Sequence, residues 1–142
     1  MRKNQVTATA LLALLLPSLT ACRSHGSSQA MAAAESAAVT HLHALFSAQT
    51  AFNSSNNHFA CTIAELATAP GLVDSKMSTG QADGYAFSIH CYPQTDLPAY
   101  QVWAAPLNPG QTGVNFYCTD QTGIVRRADR LLDSCDKAKP VE

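Results

Sequence analysis

The sequence is poor in charge, in aromatic rings and in long apolar runs, and each shortage narrows what the chain is able to be. Lys, Arg, Asp and Glu make up 13% of its 142 residues against 46% hydrophobic ones, a balance that does not describe a disordered polyelectrolyte. Aromatics are 7%, with a single Trp, so one modest core is expected. The longest apolar stretch, Ala8 to Leu16, falls short of the roughly 20 residues a helix needs to cross a bilayer, which argues against a permanent transmembrane helix. A nucleophile elbow, an HExxH pair, a glycine-rich phosphate loop and closely spaced carboxylates on a strand end are all missing. A noncatalytic protein that needs no cofactor and no metal is therefore expected.

What is present begins with a targeting segment. Arg2 and Lys3 form a positive start, Ala8 to Leu16 an apolar middle, and Pro17-Ser18 a break before Leu19-Thr20-Ala21-Cys22. Residues 1–21 read as a secretory signal. The last four resemble a bacterial lipobox. That resemblance implies cleavage after Ala21, a diacylglycerol thioether on Cys22 and acylation of the new amine, with palmitate among the usual chains. Several acyl chains, at about 0.8 kcal/mol per buried methylene, anchor durably where one does not. Arg23 in the position after the cysteine fits sorting to the outer membrane. An ordinary signal cleaved after Ala21 is the competing reading.

Setting Cys22 aside leaves Cys61, Cys91, Cys118 and Cys135, an even set that in an exported protein reads as two disulfides with three connectivities open. Their spacing contains no CxxC and matches no compact zinc motif. Residues 22–29 then serve as the lipidated cysteine and a flexible Gly/Ser tether, and 30–142 as the domain. Loss of Arg2 and Lys3 would leave seven basic against ten acidic residues, a net charge of −3 with no footprint for nucleic acid and no attraction to anionic lipid.

Ala30 to about Phe52 is predicted helical, with Ala34, Ala38, Leu42, Leu45, Gln49 and Phe52 on one stripe that is bulky only in its second half. "NSSNNH" ends it, and Thr62-Ile63-Ala64-Glu65 has the form of a capping box opening a short second helix. From Tyr85 the period changes to two. Four strands are predicted, near Tyr85–Tyr92, Tyr100–Ala105, Val114–Thr119 and Ile124–Arg127, with residues 93–98 as a loop. Short links favour antiparallel pairing, and the helix stripe is the one large element available to cover the sheet. The expected fold is α+β, an N-terminal helix on a four-stranded antiparallel meander.

"THLHALFSAQTAF" and "FACTIAEL" (40–66), "GYAFSI" (84–89), "YQVWAAPLNPGQTGVNFYCTDQTGIVR" (100–126) and the trailing Cys135 resemble, in order and spacing, the globular part of type IV pilin-like proteins of the acidobacteria type. The resemblance covers residues 37–135 and implies the pairs Cys61–Cys91 and Cys118–Cys135. Pilins also carry a long apolar N-terminal helix that anchors the subunit and builds the filament core. Residues 23–41 here are rich in Ser, Ala, His and Gln with Glu35 as their single acid, and could not replace it. A polymerising pilin is therefore not expected.

The remaining candidates have structural readings. His41 and His43 point about 200° apart on a helix and are expected to be solvated, as is the strand end at Arg126-Arg127. His90 is read as a strand-face residue and Glu65 as a cap. Tyr100 and Trp103 are the candidate binding aromatics, with a core role favoured for Trp103. Two functions result. One is a surface or periplasmic lipoprotein with a pilin-like protein-interaction domain, accessory to a pilus or secretion apparatus or to adhesion. The other is a tethered periplasmic domain for a small ligand or glycan, using the uncovered sheet face.

Overall fold

A computed structural model describes residues 23–92 and 99–141, with side chains from Ser27 onward. The signal segment, Cys22 and the 93–98 loop lie outside the described residues.

Helix α1 spans Arg23–Asn56, 34 residues or about 50 Å at 1.5 Å per residue. It begins seven residues before Ala30, so the backbone read as a flexible tether is helical from Arg23. Extending an existing helix costs at most about 1 kcal/mol per unfavourable residue, less than nucleating a new one, and the alanine run supplies the nucleus. Its polar residues do not break it, because Thr40, Ser47, Thr50 and Ser54 return their hydroxyls to the carbonyls of Ser36, His43, Phe46 and Thr50. Asn57, at φ 58°, turns the chain out. The predicted stripe is the one that packs: Ala38, Leu42, Leu45, Gln49 and Phe52 are buried and Ala34 is half-buried.

Gln49 occupies an apolar stripe position yet is fully buried, and both ends of its amide are used. Its Nε2 donates to the Ala60 carbonyl at 2.7 Å and its Oε1 accepts from the Ala60 N–H at 3.0 Å. Those two bonds pin the chain after α1 against the helix. Helix α2, Ile63–Leu66, follows with Thr62 as N-cap: the Thr62 hydroxyl accepts from the Glu65 N–H at 3.0 Å, while the Glu65 carboxylate accepts from the Cys61 N–H at 2.7 Å. Thr62→Ala is expected to cost about 1 kcal/mol. Urea unfolding monitored by circular dichroism measures that loss.

The sheet has six strands in sequence order, not four: β1 Gln81–Ala82, β2 Tyr85–Tyr92, β3 Ala99–Pro106, β4 Phe116–Asp120, β5 Arg126–Ala128 and β6 Lys139–Pro140. Every neighbouring pair is antiparallel. The two additional strands have two residues each, too few to show a period of two in sequence. On one face Tyr85, Phe87, Ile89, Tyr100, Val102, Ala104 and Tyr117 meet the α1 stripe and the buried residues of α2. Residues of the alternate register face the other way. Trp103 and Cys118 join Cys135 and Ala138 in a second, smaller core beneath the C-terminal segment, which includes a 3-10 turn at Cys135–Lys137.

Both disulfides join distant parts of this plan. Cys61–Cys91 ties the start of α2 to the end of β2, with Cα atoms 5.3 Å apart, and Cys118–Cys135 ties β4 to the C-terminal segment at 5.9 Å. These are the pairs the pilin resemblance implies. Close approach leaves no room for a side chain at Gly113, where a Cβ would collide with the Tyr85 hydroxyl, or at Gly123, where it would stand 2.8 Å from the Phe46 ring.

Candidate functional site

The sequence offers Tyr100 and Trp103 for a binding face, and the fold buries both. Tyr100 is 1% exposed and Trp103 4%. Tyr100 packs against Phe59 on the helix side, at 4.7 Å between ring centroids with the planes tilted by 52°. Trp103 lies on the opposite side, the one expected to be open, where the C-terminal segment covers it. Gln101 secures that cover: its Oε1 accepts from the Cys135 N–H at 3.1 Å and its Nε2 donates to the Ser134 hydroxyl at 3.3 Å. Neither aromatic is available to a ligand in this arrangement, because each is covered where it stands.

Two of the residues expected to be solvated also have partners. Arg126 donates to Asp120 at 3.1 Å with both side chains largely buried, so it is no free strand end. His41 bonds Asp83 at 2.8 Å and meets the Phe87 ring edge-on at 5.6 Å, while His43 is exposed as expected. Pairing with a distant turn explains the first histidine. His90 stays on the solvent side of β2 and Glu65 caps α2, as the sequence suggests.

A junction absent from the sequence reading lies where the first half of α1 leaves the sheet. Glu35 reaches from the helix to the β3–β4 connection, where its Oε1 accepts from the N–H groups of Val114 at 2.8 Å and Asn115 at 3.1 Å. Its Oε2 accepts from the Asn115 amide at 2.9 Å and the Tyr117 hydroxyl at 3.0 Å. Partial burial works to raise the carboxyl's pKa, but these four bonds to the charged form together outweigh it, and the net value lies below the ordinary one. The same environment acts on Tyr117 in the other direction. Burial first, and then its bond to the Glu35 carboxylate, push the phenol up to about 12. Tyr85 completes the junction by donating to the Asn115 carbonyl at 2.9 Å.

Beside this junction a concavity of about 330 Å3 runs between α1 and the sheet edge, lined by Ala32, Glu35, Ser36, Val39, Tyr117, Arg127 and Val141. Beyond it Ser27 to Ala30 are exposed. No residue from Ser27 to Ala37 is buried, whereas Ala38, Leu42 and Leu45 are. The carboxylate saturated by four donors suits a structural hinge point better than a general base, since its lone pairs are taken and its proton affinity is lowered. No helix among the described residues is long and apolar enough to cross a membrane.

Comparison with protein-family models, curated proteins and solved structures gives no match to this chain.

Proposed function

We propose that this chain is a lipid-anchored envelope protein whose pilin-like domain acts through protein contact, without catalysis, as an accessory of a pilus or secretion apparatus or in adhesion. The observation that carries the reading is the division of α1. Its second half is the core of an α+β domain, while the turns from Ser27 to Ala33 present a largely exposed helical surface whose angle to the sheet is held by Glu35. A surface of that kind, rigid and weakly charged, suits a partner that packs beside it. The lipobox-like Leu19-Thr20-Ala21-Cys22 supports attachment to the outer membrane at the end of the same helix.

A photoreactive side chain at Ala33, compared in cells with one at His90 on the far edge of β2, tests the contact. Crosslinks to pilus or secretion subunits from position 33 alone are expected. Self-crosslinks only, or equal yields from both positions, would count against it. For the anchor, Cys22→Ala is expected to move the protein out of the membrane fraction and to change its electrophoretic mobility. Unchanged fractionation and mobility would sink the lipid assignment.

A further inference from the structure

Four of the cations of this acidic chain are gathered in one place. Of its nine Lys and Arg residues, Arg127, Arg130, Lys137 and Lys139 line a single open cleft of about 540 Å3 between β5, β6 and the segment that joins them. Asn115 adds an amide, and Asp129 is the one acid in the lining. Lys137 is engaged by Asp133 at 2.7 Å and Arg130 lies 3.6 Å from Asp129, both pairs being exposed. Arg127 and Lys139 have no carboxylate in reach among the described residues.

Those two are also placed against each other. Arg127 and Lys139 are directly opposed partners in the β5–β6 ladder. Like charges directly opposite on an antiparallel pair are destabilising, and here the pair forms half of a ladder with only one other register position, Arg126 to Pro140. A ligand carrying more than one negative charge would remove that repulsion. The cleft falls within the range of small-ligand pockets, roughly 300–1,000 Å3. Its far wall is held in place, because Cys118–Cys135 fixes the joining segment to β4. Arginine forks and lysine ammonium groups both suit phosphate oxygens, and a phosphate monoester, at about −1.5 to −2 near neutrality, meets this lining better than a single carboxylate does.

We propose that the cleft is a binding site for a small phosphate-bearing ligand, held between Arg127 and Lys139 with Arg130 and Lys137 completing the lining. The site is independent of the lipid anchor and of the pilin-like reading. Free phosphate monoesters and the monoester headgroup of phosphatidic acid share the chemistry.

The test is a titration of the purified full chain with glycerol phosphate, at ionic strength held constant with chloride, reading both heat of binding and Tm. A saturable rise in Tm is expected, and Arg127→Gln with Lys139→Gln should weaken binding by about tenfold or more, as loss of charge-assisted bonds requires. Without ligand, at low salt, the double variant should melt no lower than the parent. Equal stabilisation by chloride, an unchanged affinity in the double variant, or a lower ligand-free Tm, which would mean that the two charges already have partners within the chain, would each overturn the proposal. Dihexanoyl phosphatidic acid, whose headgroup is a phosphate monoester, kept below its micelle concentration, separates the two sources. Tighter binding than glycerol phosphate, lost in the double variant, assigns a lipid headgroup; weaker or equal binding assigns a free ester.

Discussion

Replacing Cys118 and Cys135 together by alanine is expected to lower stability by about 3 kcal/mol and Tm by roughly 15 °C. The chain-entropy part follows from the 17-residue separation the bond closes. A second consequence is local. The bond holds the segment that covers Trp103, so its loss should let that segment lift, and the protein's single Trp should shift its emission to longer wavelength before global unfolding. Alanine is preferred to serine because Cys118 and Cys135 are fully buried, and a hydroxyl there would add an unpaired polar group. Removing Cys61 and Cys91 is the control. That bond closes 30 residues, so the entropic loss should be slightly greater, about 3.5 kcal/mol, yet Trp103 emission in the folded state should not move. Emission unchanged in both variants would show that the Gln101 bonds and the β5–β6 ladder hold the cover without help.

Glu35→Ala is expected to cost about 2 kcal/mol, since it leaves two backbone N–H groups, an amide and a phenol without their charged acceptor. Part exposure of the junction lets water replace some of them, which keeps the figure below the sum of four bonds. Faster hydrogen exchange at Val114 and Asn115 should accompany the loss, because these amides donate straight to the carboxylate. Glu35→Gln, which keeps an acceptor but not the charge, should cost less and should remove a pH dependence. The folded-state pKa of Glu35 is depressed, so its contribution is complete above the ordinary value of 4.5 and disappears as pH falls through the lower folded-state value. Urea titrations should therefore show parent and Glu35→Gln differing at about pH 7 and converging as the pH is taken down through the lowered folded-state value. A constant difference across that range would mean that Glu35 acts through its shape alone.

These two results bear on what was legible in the sequence. The α1 stripe could be read because a helix repeats its pattern over many turns, β2 to β4 because each runs for five residues or more, and β5, with three, because the Asp120–Gly123 turn announces it. β1 and β6 offered no pattern to detect. Cysteine number announced two bonds, but only the resemblance suggested their pairing. Tyr100 and Trp103 show the sharper limit: the sequence offered both for one binding face, yet three positions apart on β3 they fall on opposite faces, and whether the second meets water at Trp103 depends on where residues 129–138 return, which local pattern does not encode. Glu35 was invisible as a junction for the same reason, its partners lying 79 to 82 positions away. Arg126-Arg127 looked like one solvated pair. Strand geometry sends the first to Asp120 and leaves the second facing Lys139.

The sequential strand order has a kinetic consequence. Because each strand pairs only with the next, the sheet's closures join near neighbours in the chain, and such contacts form early and fast. Docking of α1 is different: the Glu35 carboxylate must find amides about 80 positions downstream, a search whose entropic cost is met only after β3 and β4 have brought those amides together. The helix should therefore dock last, and substitutions at Glu35 should speed unfolding while leaving the folding rate nearly unchanged.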